Sequence, residues 1–207
     1  IRAMCARIAS WGYVVLAPNL VYREHGLPLI PMMNLRDPDK MMNAMRTTFE
    51  WTRAVPLADT AADAAAWFDW LAAQPYVAGE RVGITGYCRG GMLALMIAES
   101  LGERVAAAGV FHAGGLLGDD ADNPFRHVDR VRGEVLFRFA DADPGAPLGA
   151  QVELARALDA AGAAYSLATY PDAPHGYTMA DAPGRYQEAA AERHYEELRE
   201  LFDRALG

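Results

Sequence analysis

Cys88, Asp143 and His175 are a thiol, a carboxylate and an imidazole, in that order, along a chain of 207 residues. Such a set can supply a nucleophile, a base to activate it and an acid to orient the base. The thiol carries the strongest local signal. It sits in Gly86-Tyr87-Cys88-Arg89-Gly90-Gly91-Met92, between a β-branched run at 81–85 and an apolar run at 92–100. That reads as strand, tight turn, nucleophile, helix. Gly86 and Gly90 lack a Cβ, so the chain can turn sharply and the strand can approach the helix. A cysteine at a helix N-terminus meets the dipole and the free N–H groups, which favour the thiolate. The N–H of Arg89 then points to where an oxyanion would form. The bland alternative is a small buried hydrophobe in a glycine-rich turn. A phosphate-binding loop fits less well, because neither a Gly-Lys-Ser/Thr ending nor a G-x-G-x-x-G pattern is present.

The elements that must position these groups follow from periodicity and turn residues. Helical spacing predicts a helix over 1–10, and the apolar run 13–17 predicts a buried parallel strand. Residues 19–40 read as a long loop over the active-site face. Helices are expected over 41–51 and 57–73, then a strand over 81–85 and a helix over 89–101. A strand over 105–111 and a short helix over 124–130 follow. The rest reads as strand 134–139, helix 148–161 closed by Gly162, strand 164–170 and helix 185–206. This alternation predicts an α/β fold, a doubly wound and mostly parallel sheet flanked by helices. Functional groups in such sheets gather at the carboxyl ends of strands, and Cys88, Asp143 and His175 each follow a strand of their own. Nucleophile, acid, histidine is also the chain order of α/β-hydrolases. Asp141 shares the turn with Asp143 and is the substitute for it as the acid.

Bulk composition narrows the partners. Nineteen basic residues stand against 27 acidic ones, a net charge of −8, which argues against nucleic acid and against an anionic membrane. No apolar run approaches the ~18 residues of a membrane span. Cys5 and Cys88 are the only cysteines. Both read as free thiols, Cys5 a buried one, which points to a cytoplasmic protein. No His, Cys and carboxylate cluster has metal-ligand spacing, so no metal or other cofactor is expected. The expected organisation is one domain over 1–207, as a monomer or homodimer.

On these residues the chain resembles the dienelactone hydrolase family of cysteine α/β-hydrolases, over nearly its whole length. The resemblance covers Ala9-Ser10-Trp11-Gly12-Tyr13, Ala17-Pro18-Asn19-Leu20, Gln74-Pro75-Tyr76 and the Cys88 turn. It extends to residues 136–143, where the alignment selects Asp143, and to Tyr170-Pro171-Asp172-Ala173-Pro174-His175-Gly176-Tyr177. It implies hydrolysis of a lactone or activated ester, typically the enol-lactone of a diene carboxylate, through an acyl-thioester; the alternatives are a general carboxylesterase or thioesterase, or a non-catalytic binding scaffold of the same fold. Cys88, Asp143 and His175 would be the triad, the Arg89 N–H an oxyanion donor, and Arg46 and Tyr87 substrate-binding residues. A second substrate arginine would follow the histidine, but Tyr177, Thr178 and Met179 stand there and the next arginine is Arg185. The resemblance also implies that the chain starts at the family's first helix, lacking on the order of forty residues of earlier strands and loop. That segment would supply a second oxyanion donor and a glutamate facing the thiol, so the 207-residue form is expected to be weakly active or inactive.

The remaining candidates read as structural. His25 could rim the pocket. His112 ends the 105–111 strand and is assigned a structural role. His127 and His194 lie among charges and are expected to be solvated. Phe49, Trp51 and Tyr22 read as core aromatics, with an apolar pocket lining as the functional alternative.

Overall fold

A computed structural model describes residues 1–23, 37–116, 118, 121, 123–141, 143–182 and 184–207. Most of the expected long loop and His25 lie outside the described residues, as does the Phe49 side chain. The elements are α1 (Arg2–Ala9), α2 (Pro38–Ala54), α3 (Leu57–Ala72), β1 (Val82–Tyr87), α4 (Arg89–Leu101) and β2 (Val105–Phe111). They continue with β3 (Glu134–Ala140), α5 (Leu148–Ala161), β4 (Tyr165–Tyr170) and α6 (Glu188–Leu206). Two 3-10 turns, Pro124–Arg126 and Val128–Arg130, replace the short helix expected at 124–130. Local chemistry explains several boundaries. The Asp37 side chain caps α2, with Pro38 at its first position. Gly162, at φ 64°, ends α5, and Ala163 N–H donates back to Leu158 O.

The four strands form one parallel sheet in the order β1-β2-β3-β4. Its two faces are covered by different helices. Ala108, Val110, Val135, Phe137 and Phe139 pack with α3, α4 and α5. Ala107, Phe111 and Leu136 alternate with them and face α6 and Ile8 of α1. β2 is buried throughout, as a strand covered on both faces must be. Two glycines let α6 lie close to the sheet. A Cβ on Gly83 would come within 2.8 Å of Phe202, and one on Gly109 within 2.9 Å of Leu198. Arg138 projects from β3 towards α6 and pairs with Glu197, whose Oε2 also accepts from Tyr170. This pair is largely desolvated, so loss of either partner would cost about 3–5 kcal/mol.

Residues 13–17 do not form the expected strand. They run without a ladder partner among the described residues, and Val14 is 43% exposed. Tyr13 and Val15 do pack towards α6, with Tyr13 edge-on to Phe202. An apolar run is therefore buried on one face only. Periodicity identified a chain suited to a sheet, but a ladder also needs a neighbour to bond.

Candidate active site

The turn after β1 is tighter than its sequence suggests. A Cβ on Gly86 would lie 1.9 Å from Gly90 O, so no other residue fits without moving the backbone. A Cβ on Gly90 would touch nothing, so the close approach of strand and helix depends on Gly86 rather than on both glycines. Gly91 adds a second tight contact, 3.0 Å from the Ala113 Cβ. Cys88 itself has φ 57° and ψ −124°. A non-glycine residue there is strained by about 1–3 kcal/mol, and it persists where surrounding structure imposes it. The constraint is visible: Cys88 N–H donates to Phe111 O, and Gly91 N–H donates to Cys88 O.

Three strand ends bring Cys88, Asp143 and His175 together. His175 Nε2 is 3.1 Å from Cys88 Sγ, and Nδ1 is 2.6 Å from Asp143 Oδ2. The other Asp143 oxygen accepts from Gly145 N–H at 2.9 Å, which fixes the carboxylate in a buried turn. Asp141 is exposed and accepts instead from Asp172 N–H. Of the two aspartates, Asp143 is thus the one on the histidine.

Electrostatics polarise the trio. The bond to Cys88 and then the one to Asp143 raise His175 to about 9 against the opposing effect of burial. Burial acts to raise the Cys88 thiol, but the His175 hydrogen bond and charge outweigh it. With the Arg89 backbone N–H, they hold the thiol below its ordinary value. Both shifts favour a thiolate beside an imidazolium over the neutral pair. The thiolate is the nucleophilic form of cysteine.

Two expected substrate contacts are not at this site. Tyr87 stacks on Phe111 and meets the His194 ring, 3.3 Å from its hydroxyl to Nε2. It neighbours Cys88 in a pleated strand, so its side chain points to the opposite face, towards α6. Arg46 is a solvated residue of α2, bonded to Asn43 and 4.0 Å from Glu50. The Arg89 guanidinium donates to Val55 O and lines a cavity of about 100 Å³ with Leu20, Val21, Thr60 and Leu93. A larger cavity, about 330 Å³, lies between α3 and α4 beside Glu99, away from the trio. Burial holds the Glu99 carboxyl up to about 8.

Several sequence readings change with burial. Of the three residues where a second arginine would stand, Tyr177 and Thr178 are buried and Met179 is exposed. His194 is fully buried rather than solvated. Its helix carried the signal, because Ala190, Ala191, His194, Leu198 and Leu201 form one buried stripe. His112, assigned a structural role, lies with its ring centroid 5.3 Å from that of His175. His127 is half-buried and bonds Ala121 O. Tyr22 is half-exposed, Trp51 is half-buried and Cys5 is a half-buried free thiol.

Among the described residues, no group of three or more His, Cys, Asp or Glu could hold a metal, and no helix is long and apolar enough to cross a membrane.

The fold and sequence have relatives. A crystal structure from Klebsiella pneumoniae, titled as a dienelactone hydrolase on provisional grounds, superposes with a TM-score of 0.80. It shares 24% identity over 98% of this chain and 80% of its own, a likeness of fold. A second solved structure, m3DLH, has a TM-score of 0.70 and 28% identity over 100% of this chain and 80% of its own. Two sequences provisionally named carboxymethylenebutenolidase are also similar. That from Methylorubrum extorquens is 28% identical over 98% of this chain, which spans 66% of the relative's length. That from Salmonella typhi is 29% identical over 98% of this chain and 71% of the relative. Residues 1–206 match the dienelactone hydrolase family; the chain belongs to that family.

Proposed function

We propose that this protein hydrolyses a lactone or activated carboxylic ester through a Cys88-His175-Asp143 triad and an acyl-thioester. The observation that carries this reading is His175 bridging Cys88 Sγ at 3.1 Å and Asp143 at 2.6 Å. The Cys88 thiolate attacks the ester carbonyl, and the Arg89 N–H donates to the oxyanion. The carbonyl re-forms as the C–O bond to the leaving group breaks, and His175 gives that oxygen its Nε2 proton. A water then loses its proton to neutral His175 and attacks the thioester. The C–S bond breaks, the acid product leaves, and Cys88 returns as thiolate beside imidazolium. Asp143 orients the ring and stabilises its charged form. A thiolate is a better leaving group than an ordinary alkoxide, so the tetrahedral adduct of a simple ester tends to collapse back. An enolate leaves more readily, which makes an enol-lactone the favoured substrate class.

The test is hydrolysis of a dienelactone and of p-nitrophenyl acetate by wild type and Cys88→Ala. Lactone turnover lost in the variant supports the proposal with the preferred substrate. Ester turnover alone, also lost, supports an activated-ester hydrolase with a changed pocket. Turnover retained by Cys88→Ala overturns it.

A further inference from the structure

Each of the four strands ends beside the site. β1 leads into Cys88, β3 into Asp143 and β4 into His175. The fourth residue in this ring is His112, immediately after β2. It is fully buried and holds φ 36°, in the left-handed region. Its backbone N–H donates to Arg138 O at 2.8 Å. Its Nε2 shares a 2.9 Å hydrogen bond with Thr178 Oγ1, itself buried and three residues beyond His175. Its ring meets that of His175 edge-on, at 66°. Tyr177 packs on another side, 4.9 Å between centroids, and Tyr87 lies at 5.9 Å. The loop that carries the histidine therefore meets His112 at three residues, His175, Tyr177 and Thr178.

We infer that His112 is a positioning residue, which with Thr178 fixes the histidine loop so that His175 reaches Cys88. This rests on the triad reading above. The physical need is specific. The thiolate–imidazolium contact spans 3.1 Å, and a displacement of about 1 Å can cost about 100-fold in rate. A cationic side chain in this place would repel the imidazolium. Burial holds His112 neutral, its value lowered to about 3, with nearby His175 acting in the same direction. An uncharged ring can thus abut the imidazolium and still offer a nitrogen to Thr178.

The test titrates Cys88 by the rate of iodoacetamide alkylation against pH, in a Cys5→Ser background, and reads kcat and KM on whichever ester the wild type cleaves. His112→Phe keeps a ring but loses the Thr178 bond, and Thr178→Val removes the partner. Both are expected to move the thiolate titration upward and to lower kcat about tenfold with KM little changed. Thr178→Ser should restore wild-type behaviour. If either folded variant keeps the wild-type titration and kcat while only its Tm falls, His112 merely packs and the inference is overturned. Should His112→Phe fail to fold, Thr178→Val and its Ser counterpart decide the matter alone. Failure of the triad reading looks different: Cys88→Ala would then retain turnover.

Discussion

Cys88 and His112 occupy neighbouring strand ends, and both hold a positive φ that side chains rarely adopt. Their surroundings differ. Cys88 is half-buried at a helix N-terminus, and its sulfur is polarised by a charged ring. His112 is sealed between rings and kept neutral. Similar backbone strain therefore serves two ends. One residue presents a half-buried thiol to the His175 ring, and the other is enclosed beside the same ring. Backbone conformation marks the region, and burial distinguishes the roles.

The largest expected effect concerns the exposed partner. Cys88→Ala and His175→Asn should each reduce turnover by about 10⁶-fold, measured on whichever ester the wild type cleaves. His112 variants should lose far less, and equal losses at both positions would erase the contrast. Next comes pH. In wild type, alkylation of Cys88 should titrate below the ordinary thiol value, whereas in His175→Asn burial acts without the opposing ring and should move the titration upward. Activity should fall above about pH 9, as His175 loses the proton it must donate. The same shift has a stability counterpart. Because His175 is raised in the folded state, its contribution is complete below about 6.5 and fades as pH rises through about 9.

Glycine substitutions sharpen the comparison further. His112→Gly relieves strain but empties a buried ring site, and should cost about 3 kcal/mol by denaturant unfolding. Cys88→Gly relieves similar strain with little packing lost, and should gain about 1 kcal/mol while abolishing activity. Destabilisation by both would show that the Cys88 side chain also supports the turn. The smallest effect is expected at Asp141. Asp141→Asn should leave kcat within about twofold, whereas Asp143→Asn removes the carboxylate from the histidine. A large loss at Asp141 would reverse the assignment of the acid.

The sequence was most legible where the determining interactions are local. The Cys88 turn could be read because Gly86 and the following helix define it within a few residues. The bounds of α4, β2 and α5 emerged as expected, since continuous apolar runs, a helical stripe and Gly162 mark them. Legibility failed where distant elements decide. Tyr87 was read as a pocket residue because the motif contains it, although the pleat turns it towards α6. His112 looked ordinary, because Thr178 and His175 lie more than sixty positions away along the chain. Residues 13–17 had the composition of a strand, but composition cannot supply the neighbour that a ladder requires.

Because Cys88, Asp143 and His175 follow β1, β3 and β4 of a sheet paired strictly in sequence order, no pair of adjacent strands contains the site. Its sulfur should acquire abnormal reactivity only when all four strands have docked. The rate at which Cys88 reacts with a pulse of alkylating agent during refolding is then a clock for the last step of assembly. Tyrosine or tryptophan fluorescence would respond earlier, as each layer collapses. A lag between the two signals would measure how long the protein stays compact before its chemistry exists.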